Sequence, residues 1–145
     1  MERPDLWTVE ERARAQGHVL ICGVDEAGAG PLAGDVYAAA VILPYRLELP
    51  GLNDSKQVSP KKRELLFDEI KEKAVAWAVA SVDAATIDDI NILNARLLAM
   101  ERAIQALEPQ PDFALIDGDR DKGITCTHQT IVKGDSTSAN IAAAS

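Results

Sequence analysis

The chain has 145 residues, 47% of them hydrophobic and 26% charged, values near the soluble-globular average that exclude wholesale disorder. That length suits one domain, read as residues 1–145, with enough chain to bury a core without disulfide or metal staples. With 23 acidic and 15 basic side chains the formal charge is −8, which argues against a nucleic-acid partner unless the carboxylates are gathered around divalent cations.

Met1 to Gly17 alternate acids and bases around Trp7 and Val9. The absence of an apolar leader core there points to the cytoplasm. No apolar run approaches the ~20 residues of a membrane span, so no membrane partner is expected. The 2 cysteines, Cys22 and Cys126, have no C-x-x-C spacing and read as small buried hydrophobes.

Val19 to Val24 is a short apolar run stopped by A-G-A-G, which predicts a buried strand. Val36 to Leu43 predicts a second strand, closed by Pro44. Its closeness to the first suggests an antiparallel pair, and therefore a mixed sheet. Ser59 and Pro60 suit the cap and first position of a helix that runs to about Ala74, with Leu66 and Ile70 on one face. Val75 to Val82 reads as a strand. From Ile92 to Leu107 the residues Leu93, Leu97, Met100, Ile104 and Leu107 form one apolar stripe, the mark of a helix packed on a sheet. Phe113 to Ile116 is a further strand, G-D-R-D-K-G a tight turn, and Thr127 to Val132 a partner strand. A small-residue helical pattern follows from Ser136. Alternating strands and helices predict an α/β layer, with helices flanking a mixed β-sheet.

Acids recur at the ends of these apolar strands. Val24 leads to Asp25 and Glu26, Ile116 to Asp117, and V-K-G to Asp135. A carboxylate at an apolar strand end is costly unless it is solvated, paired or bound to a cation. Several converging would favour hard divalent ions held by oxygen alone, Mg²⁺ or Mn²⁺, and such a cluster suits phosphoryl transfer with two metal ions. Strand-end acids also commonly cap the next helix or accept turn hydrogen bonds, and the pattern alone does not choose. Successive side chains in a strand point to opposite faces, so Asp25 and Glu26 converge only if the chain turns between them.

The run G-V-D-E-A-G-A-G-P-L-A-G from Gly23 to Gly34 resembles the opening motif of ribonuclease HII. L-N-D-S-K at Leu52 to Lys56, I-N-I-L-N-A at Ile90 to Ala95, L-I-D-G at Leu115 to Gly118, and V-K-G-D-S with I-A-A-A-S across Val132 to Ser145 fit the same family in order. The resemblance implies a ribonuclease H-like fold and a catalytic, metal-binding quartet of Asp25, Glu26, Asp117 and Asp135 that takes Mn²⁺ or Mg²⁺. It implies a monomeric endoribonuclease acting on RNA–DNA hybrids and on ribonucleotides embedded in DNA, leaving 3′-hydroxyl and 5′-phosphate ends. Gly28, Ala29 and Gly30 match the family's ribonucleotide-reading loop, in which backbone groups contact the 2′-OH. Lys56 resembles a phosphate-contacting lysine.

Two departures qualify this reading. Ala29 stands where the family carries arginine, so a five-donor guanidinium is missing from the loop. The sequence also stops at Ser145 within a helical pattern, which predicts a chain lacking the family's C-terminal helices and their junction-stacking tyrosine; Tyr37 and Tyr45 come too early for that role. The alternative expectation is therefore a truncated homologue that only binds metal or nucleic acid.

Overall fold

The computed structural model of the chain describes residues 7–27, 35–45, 60–132 and 144. In chain order these form α1 (Thr8–Ala15), β1 (Ile21–Ala27), β2 (Val36–Ile42), α2 (Pro60–Lys73), β3 (Ala76–Val82), α3 (Ala84–Gln105), β4 (Phe113–Asp117) and β5 (His128–Ile131). The sheet is five-stranded, ordered β3-β2-β1-β4-β5. β2 is antiparallel to both β1 and β3, whereas β4 is parallel to β1 and β5 parallel to β4. The mixed α/β sheet expected from the sequence is present.

Strand alternation divides the buried residues between two faces. Cys22, Val24, Ala38, Ala40, Ala78, Ala114 and Ile116 face α3 and form the largest core cluster with it. Ala95, Ala99 and Ala103 of α3, each 0% exposed, recur every fourth residue, so the helix backbone sits close against the alanines of β2. On the opposite face Leu66 and Ile70 of α2 cover Val41 and Leu43, and Ala13 of α1 packs with Ile21, Phe113 and Leu115. The cores thus lie in two layers around the sheet. No helix among the described residues is long and apolar enough to cross a membrane.

Four local expectations change. The first strand begins at Ile21 and continues through Asp25 and Glu26, while Val19 is exposed. The charged segment before it forms α1. Its acids Glu10 and Glu11 lie in the first turn and its bases Arg12 and Arg14 in the last, which matches the helix dipole. The third helix starts at Ala84, where the Asp83 carboxylate accepts from Thr86 N–H, and it bends at Asn91, whose φ is 69°. There Asn91 Oδ1 accepts from Asn94 N–H at 3.1 Å and caps the second segment afresh, so the apolar stripe becomes continuous only beyond the bend. Finally, the turn after Asp117 does not close a hairpin. Because β5 is parallel to β4, residues 118–127 must cross back over the sheet, and Ile124 buries itself in the α3-side core as they do so. Ser59 and the segment from Ser136 lie outside the described residues, except for Ala144, which is buried with Trp7, Leu66 and Ile70.

Candidate active site

Carboxylates gather where α/β sheets commonly bind ligands, at the carboxyl ends of parallel strands. The β1–β4 register pairs Val24 with Ile116, so one further step sets Asp25 beside Asp117. Both have the parity of Ile21, Phe113 and Leu115, and so share one face of the sheet. Asp25, in the central strand, is 6% exposed, and Asp117 is half-buried at the end of β4. The chain leaves β4 through Gly118 at φ 113°, a conformation that L side chains rarely adopt. A side chain at Gly118 would meet open space, so the constraint is on the backbone alone.

Glu26 has the opposite parity and faces α3. No turn separates it from Asp25; both lie within β1. Its Oε2 forms an ion pair with Arg96 Nε of α3 at 2.8 Å. The three acids nevertheless line one open cleft of about 280 Å³, together with Leu93, Arg96, Leu97 and Arg120. Their oxygens are the donor type that suits Mg²⁺ or Mn²⁺. Among the described residues no group of three or more acidic, histidine or cysteine side chains is drawn together as a ready metal cage. Glu26 is engaged by Arg96, and Asp135 lies outside the described residues, as do Gly28, Ala29, Gly30 and Lys56.

The 118–127 crossover is held by contacts that the sequence reading missed. Glu101, on the buried side of α3, accepts from Thr125 Oγ1 at 2.9 Å and from Thr125 N–H at 3.3 Å. A glutamate four residues beyond Leu97, on the apolar stripe, was the available signal. His128 completes the clip, with Nδ1 2.7 Å from the Cys126 carbonyl and Nε2 2.9 Å from Asp121 Oδ2. Burial pushes the His128 imidazole down, but the Cys126 carbonyl, Asp121 and Glu101 together outweigh it and raise its pKa above the ordinary value. A raised folded-state pKa makes this stabilisation complete below the unfolded value of ~6.5 and lost as pH climbs through the folded one. An NMR titration should place the His128 midpoint above that of a histidine in the unfolded chain, with amide protection at 121–128 falling as the proton leaves. A midpoint at or below the unfolded value would contradict this arrangement.

Both cysteines are free thiols. Burial, with Cys126 nearby, pushes the Cys22 thiol far up, and burial and then Glu101 raise Cys126; Cys22 is the buried packing residue expected, whereas Cys126 is only partly buried.

A family model described as Ribonuclease HII matches residues 22–145. Ribonuclease HII of Geotalea uraniireducens is 55% identical over 144 residues, covering 99% of this chain and 67% of the relative. That of Caldicellulosiruptor saccharolyticus is 50% identical over 141 residues, covering 97% of this chain and 69% of its own length. In fold, the chain matches ribonuclease H2 from Pyrococcus horikoshii OT3 with a TM-score of 0.75 at 25% identity, covering 87% of this chain and 68% of that one. This chain therefore spans about two thirds of the length of these proteins. With its strand-end acids set in this fold and half or more of its residues shared with such relatives, the chain belongs to the ribonuclease HII family, hydrolases of the ribonuclease H type.

Proposed function

We propose that this protein cleaves the RNA strand of RNA–DNA hybrids, and DNA at embedded ribonucleotides, by metal-dependent hydrolysis that leaves 3′-hydroxyl and 5′-phosphate ends. The observation that carries the reading is the placement of Asp25 beside Asp117 at the carboxyl ends of two parallel strands, in a cleft that Glu26 also lines. Asp25, Glu26 and Asp117, with Asp135 from the K-G-D motif, would hold Mg²⁺ or Mn²⁺. Two such ions, when bound, supply a water of lowered pKa and charge stabilisation at the leaving oxygen. The chain supplies the rest. Asp25 is fixed by its pairing with Ala39 of β2, one residue beyond the β1–β4 ladder, and Asp117 by a strand whose Leu115 and Ile116 are wholly buried. Such rigid support holds carboxylates in one arrangement and limits reorganisation during reaction. Gly28, Ala29 and Gly30 follow β1 directly in sequence, and their backbone donors would meet the 2′-OH that separates RNA from DNA. Lys56 would contact a phosphate.

The test presents the purified chain with an end-labelled RNA–DNA hybrid, and with duplex DNA carrying one ribonucleotide, in Mn²⁺, Mg²⁺ or chelator. Metal-dependent cuts in both substrates, with phosphate at the new 5′ ends, are the expected result. Binding without cleavage in either metal would replace this reading with that of a nucleic-acid-binding module.

A further inference from the structure

Arg96 contacts Glu26, a residue of the proposed metal site, yet belongs to none of the motifs that identify the family. Its helix position is held firmly, between Ala95 at 0% and Leu97 at 5% exposure. Its side chain is 47% exposed, and it turns back into the cleft to place Nε 2.8 Å from Glu26 Oε2. Ion pairs as exposed as this one stabilise a fold very little, so stability alone is a weak reason for the contact. The surroundings give a stronger one. Asp25, Glu26, Asp117 and Asp119 line one cleft, where Arg120 pairs with its sequence neighbour Asp119 and Arg96 reaches across from α3 to the sheet.

We infer that Arg96 is a counter-cation of the acidic cleft that competes with a divalent ion for Glu26, and so sets the metal concentration at which the site fills. This rests on the reading above that Glu26 is a metal ligand. A carboxylate oxygen paired with a guanidinium offers the same lone pairs to a hard cation. Guanidinium keeps its proton throughout the working pH range, so it cannot leave by neutralisation and must be displaced. A partly exposed pair of this kind lowers cation affinity by roughly two- to fivefold.

Mn²⁺ binding, followed by electron paramagnetic resonance of the free ion and by calorimetry, tests this without any activity measurement. The comparison uses wild type, Arg96→Gln, Glu26→Gln and the double variant, with urea unfolding to verify that each is folded. The expected result is that Arg96→Gln binds Mn²⁺ about two- to fivefold more tightly than wild type. In the Glu26→Gln background the same change should give no gain, because the contested oxygen is gone. An equal gain in both backgrounds would mean that Arg96 acts through space as a general positive charge, which overturns the inference, as would no gain in either. Asp117→Asn serves as the reference. If wild type shows no Mn²⁺ binding that Asp117→Asn weakens, the metal-site reading itself falls and takes this inference with it. If that dependence is present and Arg96→Gln is neutral, only the role of Arg96 is wrong.

Discussion

Asp117→Asn should reduce Mn²⁺- or Mg²⁺-dependent cleavage of an RNA–DNA hybrid to background while leaving the protein folded. The substitution keeps the shape of the side chain and removes its charge. A neutral amide is a poor ligand for hard divalent cations, so a site that would hold them through Asp117 loses a charged donor. The position magnifies the effect, because Asp117 ends β4 beside Asp25 of β1, and both line the cleft. A gel assay of labelled hybrid, with the urea unfolding midpoint measured alongside, separates chemistry from folding. Equal cleavage by the two proteins would remove Asp117 from the catalytic set.

Ile116→Ala should cost the most in stability. Ile116 is 0% exposed, sits in the core between β4 and α3, and pairs in register with Val24. Truncating a buried isoleucine loses the transfer free energy of the removed atoms and leaves a cavity that neighbours fill only partly, together ~2–5 kcal/mol. Domains of this size have total stabilities of about 5–15 kcal/mol, so much of the native margin goes. Val79→Ala is the matched control: its side chain is on the open face of the edge strand β3 and 51% exposed, and changes at such positions stay within about 0.5 kcal/mol. Urea unfolding should show a lowered midpoint for Ile116→Ala at unchanged slope and almost no shift for Val79→Ala. Similar midpoints for the two variants would mean that the β4–α3 core contributes far less than its burial implies. Asp117 is the next residue, so a loosened β4 should weaken the site as well as the fold.

Much of this protein was legible without coordinates because the relevant physics is local. Four short apolar runs of four to eight residues, and the partner segment Thr127 to Val132, marked the strands of the sheet to within a few residues. The G-V-D-E-A-G and L-I-D-G motifs carried the family, and the strand-end acids offered Asp25, Glu26 and Asp117 as candidates that the fold brings to one cleft. The tertiary structure decided what depends on residues distant in sequence. Helix α1 is short and mostly polar in sequence, and its Ala13 packs on Phe113 and Leu115, about a hundred residues away. Alternation along β1 assigned Asp25 and Glu26 to opposite faces, but which neighbours those faces meet follows from the β1–β4 register and from where α3 lies. Hence Arg96, a charged residue on a helix with nothing local to distinguish it, became a partner of the site only when the sheet brought Glu26 against it. The crossover clip of Glu101, Thr125 and His128 has the same origin: a parallel β5 forces the intervening chain across α3, and strand direction is a property of the assembled sheet.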